Sequence, residues 1–386
     1  METSPAPLPA ISPMEKIIVY VIPVFLLLIG VEFAYGYVRR RNTYRLADAI
    51  SSLSQGVISQ LVALVTQLFQ VGMYAMAYRA FAIFPAARFW QGALGWIAAI
   101  LLFDFFDYWL HRMGHENALM WAAHSVHHQS QDFNLSTALR QESTVVFIGW
   151  IFYLPMALLG VSPEQFGIAG LVVLVYQFWI HTEHVGKLGW FDRVFSSPSN
   201  HRVHHAVNDQ YLDKNYGGML VIWDRMFGTF AEEKEPVVYG TRTPLQSWDP
   251  LWAVFSGYWQ LARSAARMPR WSDKLKIWLK PPGWRPAGVP DPYPPFDLDV
   301  ARQRYDTQLP RIANALAVVQ FAVLLAAAAA LLWIADEQSY LRLLAASGAL
   351  LAGFWALGAF MQRRLGGGLV LAIDVAATAI VAYALV

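Results

Sequence analysis

Blocks of about 20 apolar residues, repeated along the chain, constrain this sequence more than any other feature, because that length lets an α-helix cross a hydrocarbon core of about 30 Å with its backbone satisfied. Such blocks cover residues 17–37, 57–78 and 89–110, and again 312–334, 340–361 and 367–386, each with sparse charge. A further apolar block, 145–180, is interrupted by Pro155, Gly160 and Pro163, which predicts two shorter helices joined by a turn. The expected fold is therefore an all-α integral membrane protein with about eight membrane helices. A hydrophobic content of 56% over 386 residues is too high for two or three soluble domains of ordinary composition. The first block follows a neutral proline-rich leader with no basic n-region and no clear small-residue cleavage site, so it reads as a retained anchor.

Basic residues mark the cytoplasmic loops. Arg39, Arg40 and Arg41 after the first block, and Arg363 and Arg364 between the last two, place the same side inside when eight spans are counted; Asp336 and Glu337 fall outside, and Arg79 and Arg88 dissent. The expected location is a bacterial inner membrane, with the segments from His111 onward facing the cytoplasm. Four regions follow: N-terminal membrane helices (1–88), a histidine-bearing core (89–235), an interfacial amphipathic segment (236–311) and a C-terminal three-helix membrane region (312–386). The interfacial assignment rests on Trp252, Trp259, Trp271, Trp278 and Trp284 interleaved with Arg263, Arg267, Arg270, Lys274, Lys276 and Lys280, side chains suited to the headgroup boundary. The same residues would also suit ordinary surface helices of a cytoplasmic cap.

The net charge is +2, and no basic run is interleaved with aromatics in a nucleic-acid-binding pattern. With no cysteine, the chain holds no disulfide, no thiolate-bound cluster and no cysteine nucleophile, so a metal must sit on His, Asp or Glu. All ten histidines lie between residues 111 and 205. They read His111-Arg-Met-Gly-His115, His124-Ser-Val-His127-His128, His181-Thr-Glu-His184 and His201-Arg-Val-His204-His205. Positions three and four apart share a helix face, so each cluster can aim two or three imidazoles at one point. A lone buried histidine is usually a hydrogen-bonded core residue, but burying four clusters without a partner for their lone pairs would cost several kcal/mol. One catalytic zinc needs three protein ligands and a water, so this set exceeds a mononuclear site and suits two metals. Imidazole accepts iron, copper, zinc and nickel alike.

Carboxylates border the clusters. Asp104, Asp107, His111 and His115 fall on one helical stripe, and Asp107, four residues before His111, is the leading candidate to receive a ligand imidazole's second N–H. A hydrogen bond to a Tyr or Arg of a neighbouring helix is its other reading. Glu116, Glu142 and Glu183 are further candidates, each with an alternative partner in Arg112, Arg140 or Arg202.

The series His-x-x-x-His, His-x-x-His-His, an isolated upstream histidine and a second His-x-x-His-His resembles the fatty acid hydroxylase and sterol desaturase superfamily of membrane di-iron enzymes. The surrounding words are most similar to those of the alkylglycerol monooxygenases and their bacterial relatives: His111-Arg-Met-Gly-His115-Glu116, Asn134-Leu-Ser-Thr-Ala-Leu-Arg-Gln141, Gln177-Phe-Trp-Ile-His-Thr-Glu183, Asp213-Lys-Asn-Tyr216 and Ile222-Trp-Asp-Arg-Met-Phe-Gly-Thr-Phe230. The resemblance covers about 90–235 and implies that His111, His115, His124, His127, His128, His181, His201, His204 and His205 hold two Fe ions. His184 is left out of that set, and Asn200 stands where the family usually has a histidine, which puts a contact around the ligands in doubt. The implied reaction is O2-dependent hydroxylation of a membrane lipid, with cleavage of alkyl ether lipids as one form. The chain shows no iron–sulfur ligands, no Gly-x-Gly-x-x-Gly fingerprint and no histidine outside the clusters for haem, so an external electron donor is required; the resemblance implies tetrahydrobiopterin. Competing readings are a sterol or fatty-acyl desaturase or an amino-lipid hydroxylase with the same histidines and, from other classes, a membrane zinc hydrolase and a divalent-metal transporter.

Overall fold

Caps and prolines cut the apolar sequence into helices at points that hydropathy alone does not define. The computed structural model describes residues 13–384 apart from 68, 86, 292 and 293, so the leader and the end of the final apolar block lie outside the described residues. Helix α1 (Pro13–Val38) is followed by α2 (Leu46–Val65) and α3 (Phe69–Phe81). These bounds correct the expected span over 57–78. Gln67 sits at φ 50, in the left-handed region that L-residues enter at a cost, while Thr66 turns its hydroxyl onto the Val62 carbonyl at 2.7 Å, so the apolar run breaks into two helices.

Helix α4 (Ala93–Glu116) stops at Asn117, whose side chain caps α5 (Ala118–His128) by accepting from the Leu119 and Met120 amides, both at 3.1 Å. The block at 145–180 breaks as its prolines and glycine predict. Gly160 has φ 93, and a Cβ there would lie 2.4 Å from the Phe84 carbonyl oxygen, so only glycine fits the turn. Short helices at Val146–Gly149 and Leu154–Leu159 precede it, and α6 (Pro163–Trp179) follows under a Ser162–Gln165 capping box. Ser197 caps α7 (Pro198–His204) and Asp249 caps α8 (Pro250–Arg267). The chain closes with α9 (Arg311–Trp333), α10 (Tyr340–Met361) and α11 (Gly367–Ala384). Among the described residues there is no β-strand, and 6 helices are long and apolar enough to cross a membrane: α1, α2, α4, α9, α10 and α11.

Two packed cores organise these helices. Leu61 and Leu64 of α2 join Leu324 and Leu331 of α9 and Leu350, Phe354 and Leu357 of α10, while Tyr74, Phe103, Tyr153, Met156 and Phe166 pack α3, α4 and α6 together. Lipid is as apolar as leucine, so close packing rather than escape from water holds such helices; Ala328, Ala346 and Ala356 at the contacts permit it. Glu32 of α1 accepts from the Tyr44 and Thr182 hydroxyls and the Leu135 amide, which pins the end of α1 to the core. On α8, Trp252, Phe255 and Trp259 form an outward stripe, exposed by 39%, 58% and 54%.

Candidate metal centre

The end of α4, α5, the segment after α6, and α7 deliver their histidines to one end of the helix bundle. Nine rings form two groups, His111, His115, His124, His128 and His204 in one and His127, His181, His201 and His205 in the other, with the ligand atoms of each within 4.8 Å of one another. His184 lies outside both, its ring edge-on to Tyr35. The expectation that each cluster aims at one point needs correction. An α-helix turns about 100° per residue, so positions four apart differ by about 40° while a position three along lies about 60° to the other side. His124 and His128 therefore serve one group and His127 the other; likewise His201 and His205 serve one and His204 the other. Each His-x-x-His-His segment thus contributes to both groups.

The tautomers follow from the Nδ1 partners. His111 donates to the Tyr216 carbonyl at 2.7 Å, His127 to Arg140 at 3.0 Å, His181 to Gln177 at 2.7 Å and His204 to Lys214 at 3.1 Å. Each Nε2 is then a bare lone pair. In the first group, neighbouring Nε2 atoms approach to 3.1 Å (His111–His124), 2.9 Å (His124–His128) and 3.2 Å (His128–His204). In the second they approach to 3.3 Å (His127–His181), 3.0 Å (His181–His201) and 3.2 Å (His201–His205). Where both tautomers are fixed, as in His111–His124 and His127–His181, lone pairs so placed repel, and a cation among them turns repulsion into bonding. Nitrogens at right angles around an ion at about 2.1 Å would stand about 3 Å apart, so the donor sets fit metal ions. His115 Nε2 is buried without a hydrogen-bond partner, which fits the same use.

Burial first, then adjacent imidazoles, keeps the rings neutral: the His127 pKa is lowered to about 4, and those of His128, His181, His201, His204 and His205 fall well below the ordinary value. Glu142 receives the His124 Nδ1 proton. Burial alone would raise its carboxyl, but the His124 contact outweighs this and holds it below the usual range.

Asp213 Oδ1 approaches His115 Nδ1 to 3.6 Å, while the remaining carboxylates act elsewhere. Asp107 accepts from the Tyr153 hydroxyl at 2.9 Å rather than from His111, so its alternative reading, a bond to a neighbouring Tyr, describes the geometry. Asp104 accepts from the Met219 and Leu220 amides at 2.7 and 3.1 Å and from the Trp223 indole at 2.8 Å. Asp224 accepts from the Tyr216 and Gly217 amides, both at 2.8 Å. Together they fix the segment whose carbonyls hold His111 and His204. Glu116 pairs with Arg112 at 2.9 Å, Glu183 bonds to no histidine, and Asn200 braces the loop by donating to the Asp192 and Phe195 carbonyls at 3.0 and 3.3 Å. The carbonyls of Arg140, Gln177, Lys214 and Tyr216 escape sequence reasoning, because a backbone oxygen leaves no residue-type signal.

A cavity of about 330 Å³ opens onto both groups, with His111, His124, His127 and His181 at its floor and aliphatic side chains of α1, α2, α6 and α9 as walls. Its form is that of a ligand site: apolar walls, few polar groups and reactive side chains at one end.

Comparisons with known proteins agree with this geometry. Residues 96–229, which hold all nine grouped histidines, match the fatty acid hydroxylase family model. The chain is 37% identical to an alkylglycerol monooxygenase of Homo sapiens, over 79% of this chain and 68% of that protein. The chain belongs to the fatty acid hydroxylase family. An alkylglycerol monooxygenase of Danio rerio is 41% identical over 69% of this chain and 59% of its own length, and an ornithine lipid hydroxylase of Rhizobium tropici is 29% identical over 38% of this chain and 45% of its own length. No solved structure matches. As a fatty acid hydroxylase family member, the chain is an integral membrane oxidoreductase, a lipid monooxygenase of an iron-dependent family that uses O2 and an external reductant. This membership favours lipid oxidation over the hydrolase and transporter readings.

Proposed function

We propose that this enzyme hydroxylates an alkyl ether lipid at the carbon beside the ether oxygen, with two iron ions, one in each histidine group. The observation that carries the reading is the cavity, which brings an apolar enclosure against both groups at once. Iron bound there would supply O2 activation. The chain's own residues do the rest: carbonyls and Glu142 hold the Nδ1 protons of His111, His124, His127, His181 and His204 and aim their Nε2 lone pairs, while the aliphatic walls exclude water and hold one C–H bond at the floor. One oxygen atom of O2 enters that C–H bond and the other leaves as water, using two electrons and two protons from a donor, for which tetrahydrobiopterin is the reading adopted. The hemiacetal so formed collapses to an aldehyde and glycerol.

The catalytic end faces the cytoplasm of a bacterial inner membrane in this reading. Support comes from Arg363, which donates to the Gln308 carbonyl, and from Arg41, whose carbonyl lies beside Gly36 near His184, since both basic clusters then share the histidine end. The shorter apolar helices bring the crossings to about eight. Region 89–235 performs catalysis, 236–311 lies in the headgroup layer with Trp252, Phe255 and Trp259 toward lipid, and 312–386 is a companion bundle. The test is turnover of an alkylglycerol by iron-loaded protein under isotopically labelled O2. Labelled aldehyde, trapped before its oxygen exchanges with water, supports the proposal; a new double bond with no label would replace it with desaturation.

A further inference from the structure

The cavity has a direction. Helix α2 begins at the histidine end, where Arg45 bonds Asp132 at 3.0 Å, and its last residue, Val65, offers its carbonyl at the opposite end to the Tyr340 hydroxyl at 3.0 Å. Helix α9 also begins at the histidine end: Thr307, just before it, donates to the Met361 carbonyl at 2.7 Å, and Arg45 bonds the Tyr305 carbonyl. Residues later in α9 therefore lie farther from the metal-binding rings. Five of them, Phe321, Leu325, Ala328, Ala329 and Leu332, line the cavity. From Phe321 to Leu332 the helix rises about 17 Å at about 1.5 Å per residue. Half of a hydrocarbon core of about 30 Å is about 15 Å, so this wall matches the reach of one leaflet's acyl chain.

Small residues stand where that chain would end. Ala328 and Ala329 lie near the far end of the lined stretch, between the larger Leu325 and Leu332. None of this wall belongs to the matched region 96–229. Asp107 and Gln177, each four residues before a lining histidine, and Glu142, bonded to His124, put polar groups at the floor; Gln60 in the last third of α2 and Gln70 of α3 add two amides, while the five α9 residues are all apolar.

We infer that α9, outside the family's catalytic core, is the chain-length gauge of this enzyme: the lipid lies with its polar end toward the histidines and its alkyl terminus against Ala328 and Ala329, which set the longest chain admitted. The inference rests on the proposed lipid-oxidising role of the cavity. Ala328 is fully packed in the bundle core, whereas Ala329 is only partly buried, which makes Ala329 the position to enlarge. Ala326, on the same helix but outside the cavity lining and exposed, is the matched control.

The test uses nitroxide-labelled alkyl lipids of graded chain length with the metal-free protein, read as spin-label immobilisation, and alkylglycerols of the same lengths with the iron-loaded enzyme, read as kcat/KM. Ala329→Phe should lower binding and kcat/KM for the longest chains by about ten-fold or more while leaving short chains near the wild-type value, since a lost methylene site costs about that much. Ala329→Val should give a smaller shift in the same direction, and Ala326→Phe none. An unchanged profile, or one lowered equally at every length in a variant that keeps its iron, would overturn the gauge. If the wild-type enzyme oxidises none of the alkylglycerols, the proposed function fails, and the binding profile alone decides the gauge.

Discussion

Glu142 is the carboxylate hydrogen-bonded to a grouped histidine, and replacing it separates this geometry from the stripe of aspartates read along α4. The Glu142 side chain is 20% exposed and takes the Nδ1 proton of His124, so it is shielded enough for its charge to strengthen the ring as a donor. Glu142→Gln keeps the shape and removes the charge. Changes of this kind beside a metal-binding imidazole cost about 10- to 100-fold in affinity, about 1.4–2.7 kcal/mol. The loss should fall on the group containing His124 and spare the group containing His127. Asp107→Asn is the control, because Asp107 serves Tyr153. Anaerobic titration of Fe(II) against a competing chelator reads both sites. An unchanged affinity in Glu142→Gln, or an equal loss in Asp107→Asn, would refute the reasoning.

Three further outcomes follow. His204→Ala and His127→Ala should each weaken iron binding chiefly in one group, the first and second respectively, whereas His184→Ala should retain full iron content by elemental analysis; an equally severe loss in His184→Ala would contradict its exclusion. Asp104→Ala leaves two amides and an indole N–H without their acceptor, at about 1–3 kcal/mol each, and should lower thermal stability and iron content together, because the released segment carries the His111 and His204 acceptors. In the metal-free protein, His127 has its pKa lowered to about 4 against about 6.5 unfolded. The folded state thus binds fewer protons between those values, so the stabilisation is fully present above about pH 6.5 and is lost as pH falls toward 4; a melting temperature constant across that window would contradict it.

The helices and the gathering of the histidines were largely legible in the chain. Apolar length located five of the six long spans closely, and the missed boundary arose at Gln67, whose left-handed conformation no hydropathy pattern reports. Spacing of three and four residues marked all ten rings, and the family resemblance set His184 apart. Spacing grouped the rings by chain segment, however, whereas helical rotation splits His124 and His128 from His127. The outer partners were least legible, because four of the Nδ1 protons go to backbone carbonyls and Asp104 acts through amides more than 100 residues away, beyond the reach of local periodicity.

Anomalous diffraction at the iron edge from the iron-loaded protein tests the two-site claim most directly. The expected map has two peaks, one enclosed by the Nε2 atoms of the His111 group and one by those of the His127 group. A single peak, or iron lying outside both sets of rings, would contradict it.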